Sequence, residues 1–326
     1  MTSSSGSLRS PLATSSAALR ASNTAHCPPH GYGALRRRYG TGSATMMLGM
    51  ERVRKLAIVG GGRAAWAFGN SWLAIGGAIT GVLSRPQSQS GIARYLATSR
   101  LSSIDELRSA GAVLVAVSDD QLPSVAATVA RSLSPDVAFF HPSGSLTSAI
   151  FEGTPIRFSL HPLMALPPVG ENVSFRDRLL VAEGSDEGIS LAREMSAEIG
   201  ARLAVIEGKA KPAYHAAAVM ASNYVAALLR GAAGILARSG VDEVRRSDLL
   251  DLARSAAENW ASHEGAAAFT GPIARGDAGI VEQHLAALKG MPEREAYRVL
   301  GALLADQISA VKDDPRLGEI AKLLKG

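Results

Sequence analysis

The sequence predicts an α/β domain built on a parallel sheet, followed by an all-helical C-terminal domain. Three observations predict it. Short apolar runs at residues 56–59, 79–83, 112–117 and 137–140 are separated by crossover segments, the pattern of strands covered on both faces. The first run stops at three glycines, Gly60, Gly61 and Gly62, and a helix-compatible stretch follows at 63–75. After Gly208, β-branched residues thin out, and 211–239, 246–265, 280–289 and 293–311 become Ala/Leu-rich with helical periodicity.

Taken in order, 56–59 is the first strand, 60–62 a tight turn, 63–75 a helix and 79–83 the second strand. The third strand is 112–117, a helix-like segment covers 124–133, and 137–140 is the fourth strand. The runs at 157–160 and 178–182 extend the sheet, with 201–206 a further candidate. Residues 51–207 therefore read as the sheet domain and 208–326 as the helical one.

With 326 residues, 47% hydrophobic and 19% charged, the composition is that of a soluble globular protein with a sizeable core. The formal charge of +5 comes from 34 basic against 29 acidic residues. Five arginines (Arg9, Arg20, Arg36, Arg37, Arg38) precede the first acid, Glu51, and removing them leaves 29 against 29. A balanced body offers no footprint for nucleic acid. Residues 1–50 read as a disordered leader outside the fold. It is either an organellar transit peptide or the product of a start codon set upstream of Met46, Met47 or Met50, so the expected location is cytoplasmic, or an organellar matrix in the first case. The sole cysteine, Cys27, lies there, so the body has no internal disulfide and no thiolate metal site, and no metal is expected. The apolar stretch 213–229 is interrupted by His215, Ser222 and Asn223, and no membrane span is expected from it.

The glycine turn carries chemistry. Gly60-x-Gly62-x-x-Ala65 fits a fingerprint in which the first glycine makes the turn, the second admits a pyrophosphate and the small third residue lets helix and strand pack. This is the Rossmann arrangement, with phosphates at the positive end of the helix. Gly60, Gly61, Gly62, Arg63, Ala64 and Ala65 are thus expected to hold a dinucleotide, an ordinary glycine turn being the alternative. Where an NAD site carries an acid about 20 residues on, this chain has Ser84 and Arg85, a hydroxyl and a guanidinium suited to a 2′-phosphate. NADP is the expected cofactor, with NAD possible. Val117, Ser118 and Asp119 end the third strand and would border it; alternatively Asp119 or Asp120 caps the next helix.

His141, followed by Pro142 and Ser143, and His161 end the fourth and fifth strands, where open α/β sheets bind ligands. Each histidine can orient or protonate a substrate oxygen, or simply bond a neighbouring loop. Lys211, His215 and Ser222, with Asn223 adjacent, share one side of an otherwise apolar helix. They line a cleft or form hydrogen-bonded core groups between the domains. Thr270 and Arg275 either present a hydroxyl and a cation to an anionic substrate or belong to a plain turn with Asp277 as N-cap.

Gly60-Gly61-Gly62, Val117-Ser118-Asp119, Ser159-Leu160-His161-Pro162-Leu163, Tyr214-His215 through Ser222-Asn223-Tyr224, and Thr270-Gly271-Pro272 with Arg275-Gly276-Asp277 together resemble the bacterial Rossmann-like DUF2520 family, over about residues 53–320. That family is similar to pyrroline-5-carboxylate reductase, the 6-phosphogluconate and β-hydroxyacid dehydrogenases and prephenate dehydrogenase. The resemblance implies NADP-linked oxidation or reduction of a small molecule at an interdomain cleft, and a homodimer. In β-hydroxyacid dehydrogenases a lysine and a later asparagine on the first long interdomain helix serve catalysis; His215 and Asn223 occupy comparable places, with Lys211 one turn earlier. The leading expectation is an NADP(H)-dependent oxidoreductase with His215 as acid/base, Asn223 and Ser143 holding substrate oxygens and His161 assisting. The alternatives are a non-catalytic dinucleotide-binding sensor, or an imine reductase similar to pyrroline-5-carboxylate reductase.

Overall fold

The computed structural model describes residues 54–85 and 91–325, and the expectations for the leader at 1–50 lie outside them. One sheet runs in the order β3-β2-β1-β4-β5-β6-β7-β8. Its strands are β1 (Lys55–Val59), β2 (Ala78–Leu83), β3 (Arg100–Leu101), β4 (Ala112–Val115), β5 (Ala138–His141), β6 (Arg157–Pro162), β7 (Leu179–Gly184) and β8 (Arg202–Val205). Helices α1 (Arg63–Ala74), α2 (Leu122–Ser132) and α3 (Asp186–Ile199) cover the faces.

Strand alternation divides the core. Leu56 and Ile58 of β1 pack with Phe68 and Trp72 of α1, whereas Ala57 and Val59 face Val113, Phe139 and Val129 on the opposite side. The strand order reverses between β2 and β4 on either side of β1, the kind of switch point at whose carboxyl ends open α/β sheets bind ligands.

The sheet departs from the all-parallel expectation at one pairing. β6 and β7 are antiparallel, while β7 and β8 are parallel. A parallel neighbour needs a crossover, usually helical, to carry the chain back. The segment 163–178 between β6 and β7 forms no helix. It lies against α1 instead, where Trp66 Nε1 donates to Glu171 O (2.8 Å) and Asn70 Nδ2 to Val173 O (3.0 Å). The helix α3, with Ser185 Oγ accepting from Gly188 N at its N-cap, then supplies the crossover to β8.

The helical part begins at Gly208 with a single 3-10 turn, then α4 (Lys211–Val219), a π-helical turn (Met220–Tyr224) and α5 (Val225–Arg238) in unbroken succession. α6 (Arg246–Ser262), α7 (Ala278–Ala287), α8 (Glu293–Ser309) and α9 (Pro315–Lys325) follow. Val281 and Leu285 of α7, Ile308 of α8 and Leu317 and Ile320 of α9 close around Ile273 as a separate core. α5 and α6 contribute no buried residue. By length and composition the run Gly208–Arg238 is long and apolar enough to cross a membrane, and none of its apolar window is buried. The helix carries His215, Ser222 and Asn223 without a break. Both ends of the run are nevertheless tied to other elements. Lys211 Nζ donates to Ser143 O (3.0 Å) beyond β5, and Arg238 pairs with Glu293 of α8.

Candidate functional site

The candidate site begins at the glycine turn. Gly60 has φ +121°, and a Cβ there would stand 2.1 Å from the Ala116 carbonyl oxygen, so both backbone and packing demand glycine. Gly62 is different. It is extended (φ −88°, ψ −172°) at the N-cap of α1, and a Cβ would meet no atom within 4 Å. Nothing in the protein therefore requires glycine at 62. No side chain caps α1, and its first turn holds no acid, so the leading N–H groups are free to hold an anion. Gly61 and Ala64 are partly buried, Arg63 is exposed and Ala65 is fully buried against the sheet. The groups present fit a diphosphate: a cradle with open space, free donors and the positive end of a helix.

Ser84 and Arg85 follow β2, the first partly buried and the second exposed. Val117 and Ser118 follow β4, where Ser118 O accepts from Gln121 N (3.0 Å) and Leu122 N (2.9 Å) to turn the chain into α2. Neither neighbouring aspartate caps that helix, whose N-cap is Gln121 with no side-chain bond. Asp119 Oδ2 instead accepts from Ser143 Oγ and Ser145 Oγ, each at 3.0 Å, and links the β4 and β5 edges. The Ser118 hydroxyl holds the Asp120 carboxyl below its usual range.

The loop after β5 is built inward. His141 is fully buried, and its Nδ1 accepts from Ser143 N (3.2 Å). Burial, aided by the nearby Lys211 charge, pushes its pKa down to about 4, so it serves the loop as a neutral acceptor. Ser143 is buried too. Its hydroxyl donates its one proton to Asp119 and accepts from Ser145 N (3.3 Å) and Leu146 N (3.1 Å), which leaves it no proton to give a substrate oxygen. The expected substrate contact at Ser143 is thus corrected to a loop-holding one.

Lys211 is only 1% exposed, the least expected feature of the site. Its Nζ donates to Ser159 Oγ (2.7 Å) as well as Ser143 O. Burial lowers its pKa to about 8, against the pull of Glu183 and Asp119. Ser159 in turn donates to Glu183 Oε2 (3.3 Å), which also accepts from Ser148 N (2.8 Å), while Oε1 takes the Ser148 hydroxyl (2.9 Å). An ammonium so enclosed fastens α4 to the sheet through its two acceptors, Ser143 O and Ser159 Oγ.

His161 and His215 are brought together. Their rings are 5.6 Å apart and nearly perpendicular (86°). His161 Nδ1 lies 2.6 Å from the Tyr214 hydroxyl. Burial pushes His161 down to about 4, with the His215 and Lys211 charges adding to the effect. Among the described residues His215 Nδ1 is buried without a hydrogen-bond partner, and it faces Gly144, where a Cβ would stand 2.3 Å from it and 3.1 Å from His161 Nε2.

The remaining polar residues stay apart from this pair. Ser222 and Asn223 sit in the π-helical turn, both exposed, with Ser222 Oγ bonded to Ala218 O (2.7 Å) and Asn223 Oδ1 (2.9 Å). The wider turn rotates the residues after Val219 around the helix axis and breaks the expected stripe. Arg275 Nε is paired with Asp277 Oδ2 (2.8 Å), and Asp277 makes no side-chain cap on α7. Among the described residues no three His, Cys, Asp or Glu side chains are placed to hold a metal. Tyr214, Gly144, Ser145, Ser159 and Glu183 are site members that sequence reasoning assigned no role.

Residues 179–303 match the family model for the domain of unknown function DUF2520. No protein of curated function matches the sequence. Among solved structures, a provisionally assigned NADP oxidoreductase of Bacteroides fragilis is 20% identical, covering 76% of this chain and 96% of its own, with a TM-score of 0.67. A Thermotoga maritima protein is 26% identical over 78% of this chain and 98% of its own, at a TM-score of 0.59. An imine reductase of Myxococcus stipitatus in complex with NADP+ is 16% identical over 79% and 92%, at 0.56. Sheet order and glycine turn thus give the chain a Rossmann-type fold shared with these structures, and its segment 179–303 matches the DUF2520 domain.

Proposed function

We propose that the protein is an NADP(H)-dependent oxidoreductase acting on a small polar substrate in the cleft between the sheet's carboxyl edge and α4. One observation carries the reading: Gly62 has no packing reason to be glycine, yet stands at an uncapped helix N-terminus at the carboxyl end of β1, on the sheet whose β6 ends at His161, with His215 of α4 against it. A residue kept small against open space is the mark of a ligand that approaches the backbone. The bound dinucleotide would supply or accept hydride. Gly60 to Ala65 would hold its diphosphate, Ser84 and Arg85 its 2′-phosphate, and Val117 to Asp119 would border its reactive half. His215 is the proposed acid/base group and His161 a neutral hydrogen-bonding partner; Asn223, exposed two turns further on, would contribute only to a larger substrate.

The likeness to an NADP oxidoreductase and to an imine reductase with NADP+ bound supports the cofactor class. The test is turnover of NADPH with a panel of oxo-acids, imines and hydroxy acids. Oxidation with one chemical class is the expected result. A protein that binds NADPH tightly and turns over none of them would instead be a dinucleotide sensor.

We also propose a homodimer. Met220, Tyr224, Leu228, Leu250, Leu252 and Trp260 are exposed large apolar residues of one helical region, with Leu252 and Trp260 at 69% and 68%. Patches of this kind mark interfaces, and the tied ends of Gly208–Arg238 favour a protein over a lipid as the cover. Light scattering should give about twice the 33.8 kDa chain mass, and a monomer would contradict it.

A further inference from the structure

We propose that Tyr214 is a positioning residue that fixes His161 as its Nε2–H tautomer, so that an uncharged imidazole donates a hydrogen bond to the substrate's acceptor atom. The inference rests on the reading of this cleft as the reaction site, and it names a substrate class: molecules that present a carbonyl oxygen or an imine nitrogen there.

The geometry leaves little choice of proton. His161 Nδ1 and Tyr214 Oη are 2.6 Å apart, so exactly one hydrogen lies between them. Were it the imidazole's, the phenol proton would need an acceptor of its own, and among the described residues Tyr214 has no other hydrogen-bond partner. A half-buried hydroxyl without an acceptor is unfavourable by about 1–3 kcal/mol. With the phenol as donor, the more acidic hydrogen faces the better acceptor, the imidazole nitrogen, and the imidazole proton moves to Nε2. Burial keeps both groups uncharged, holding the phenol protonated (pushed up to about 12) and the imidazole neutral (down to about 4). The charged and titratable groups around the ring, Lys211, His215 and Asp119, leave this balance in place, since His215 and Lys211 press toward neutrality and only Asp119 opposes them.

Nε2 then faces His215 and Gly144. It lies 3.1 Å from where a Cβ on Gly144 would be, on the side of the His215 ring. A donor that carries no charge polarises a carbonyl or imine without surrendering its proton, which leaves proton transfer to His215. The two histidines thereby divide the work between them.

Nitrogen NMR of isotopically labelled histidine in the ligand-free protein tests the tautomer directly, with His161→Gln used to assign the signal. His161 should show a protonated Nε2 and a proton-free Nδ1 across the neutral range. Tyr214→Phe should give a mixture of tautomers, a raised His161 pKa and a kcat lowered about tenfold at unchanged NADPH affinity. A wild-type Nδ1–H tautomer would overturn the proposal whether or not the variant folds, as would a variant spectrum identical to wild type. Absence of turnover with every substrate would strike the oxidoreductase reading and leave the tautomer result standing.

Discussion

Gly144 and His215 occupy one space: a methyl group on Gly144 would stand 2.3 Å from His215 Nδ1, closer than any real contact. Gly144 is fully enclosed, and the imidazole lies where its side chain would go. Gly144→Ala must therefore displace the ring. Misplacement of a reacting group by about 1 Å lowers rates by about a hundredfold. The expected outcome is a fall of that order in kcat/KM with NADPH affinity unchanged, read from steady-state kinetics beside a binding titration. Equal losses in both would place the glycine in cofactor binding instead.

His141 and His161, each pushed from 6.5 to about 4, set an acid limit on stability. The unfolded chain binds protons at these histidines as pH falls below 6.5, and the folded chain does not until about 4. Stability is then fully present above 6.5 and is lost as pH falls through that window. The upper bound is about 1.4 kcal/mol per pH unit for each histidine, less for the partly exposed His161. Urea unfolding across the window should show the midpoint falling, and His141→Gln should flatten the dependence. Lys211, pulled from 10.5 to about 8, has the same sign and adds stability as pH rises between those values.

Arg85 follows β2 and is exposed, so its removal leaves the core untouched. Arg85→Ala should weaken NADPH binding about tenfold or more and leave NADH within about twofold, because only the former carries the 2′-phosphate. Calorimetry with both cofactors checks this; equal effects on the two would remove Arg85 from the phosphate site.

What was legible in the sequence was local. The run 56–59, its three glycines and the following helix declare themselves through apolar spacing and turn residues, and β1, the turn and α1 stand there. The direction of β7 was not legible, because it depends on the route of 163–178. That route is set by Trp66 and Asn70, more than 100 residues earlier in the chain. The helix α3 had a readable signal that went unused, Ser185 followed by two acids at its first turn. In the site, His161 and His215 could be named as polar groups at a strand end and on an apolar helix. The enclosure of Lys211 could not, since lysine is exposed by default and its partners Ser143 and Ser159 are 68 and 52 residues away. The position of Asn223 followed from ideal helical spacing, which the π-helical turn at Met220–Tyr224 does not keep.

The central claim is that open space at Gly62 belongs to a diphosphate. Gly62→Asp separates this from a role in folding, because aspartate is a favoured N-cap and would take the free N–H groups of α1 for itself. Thermal unfolding and NADPH calorimetry on the one variant should therefore move in opposite directions. Stability is expected to rise by roughly 0.3–1 kcal/mol while NADPH affinity falls about a hundredfold or more. A Gly62→Asp protein that is stable and still binds NADPH as the wild type does would contradict the account.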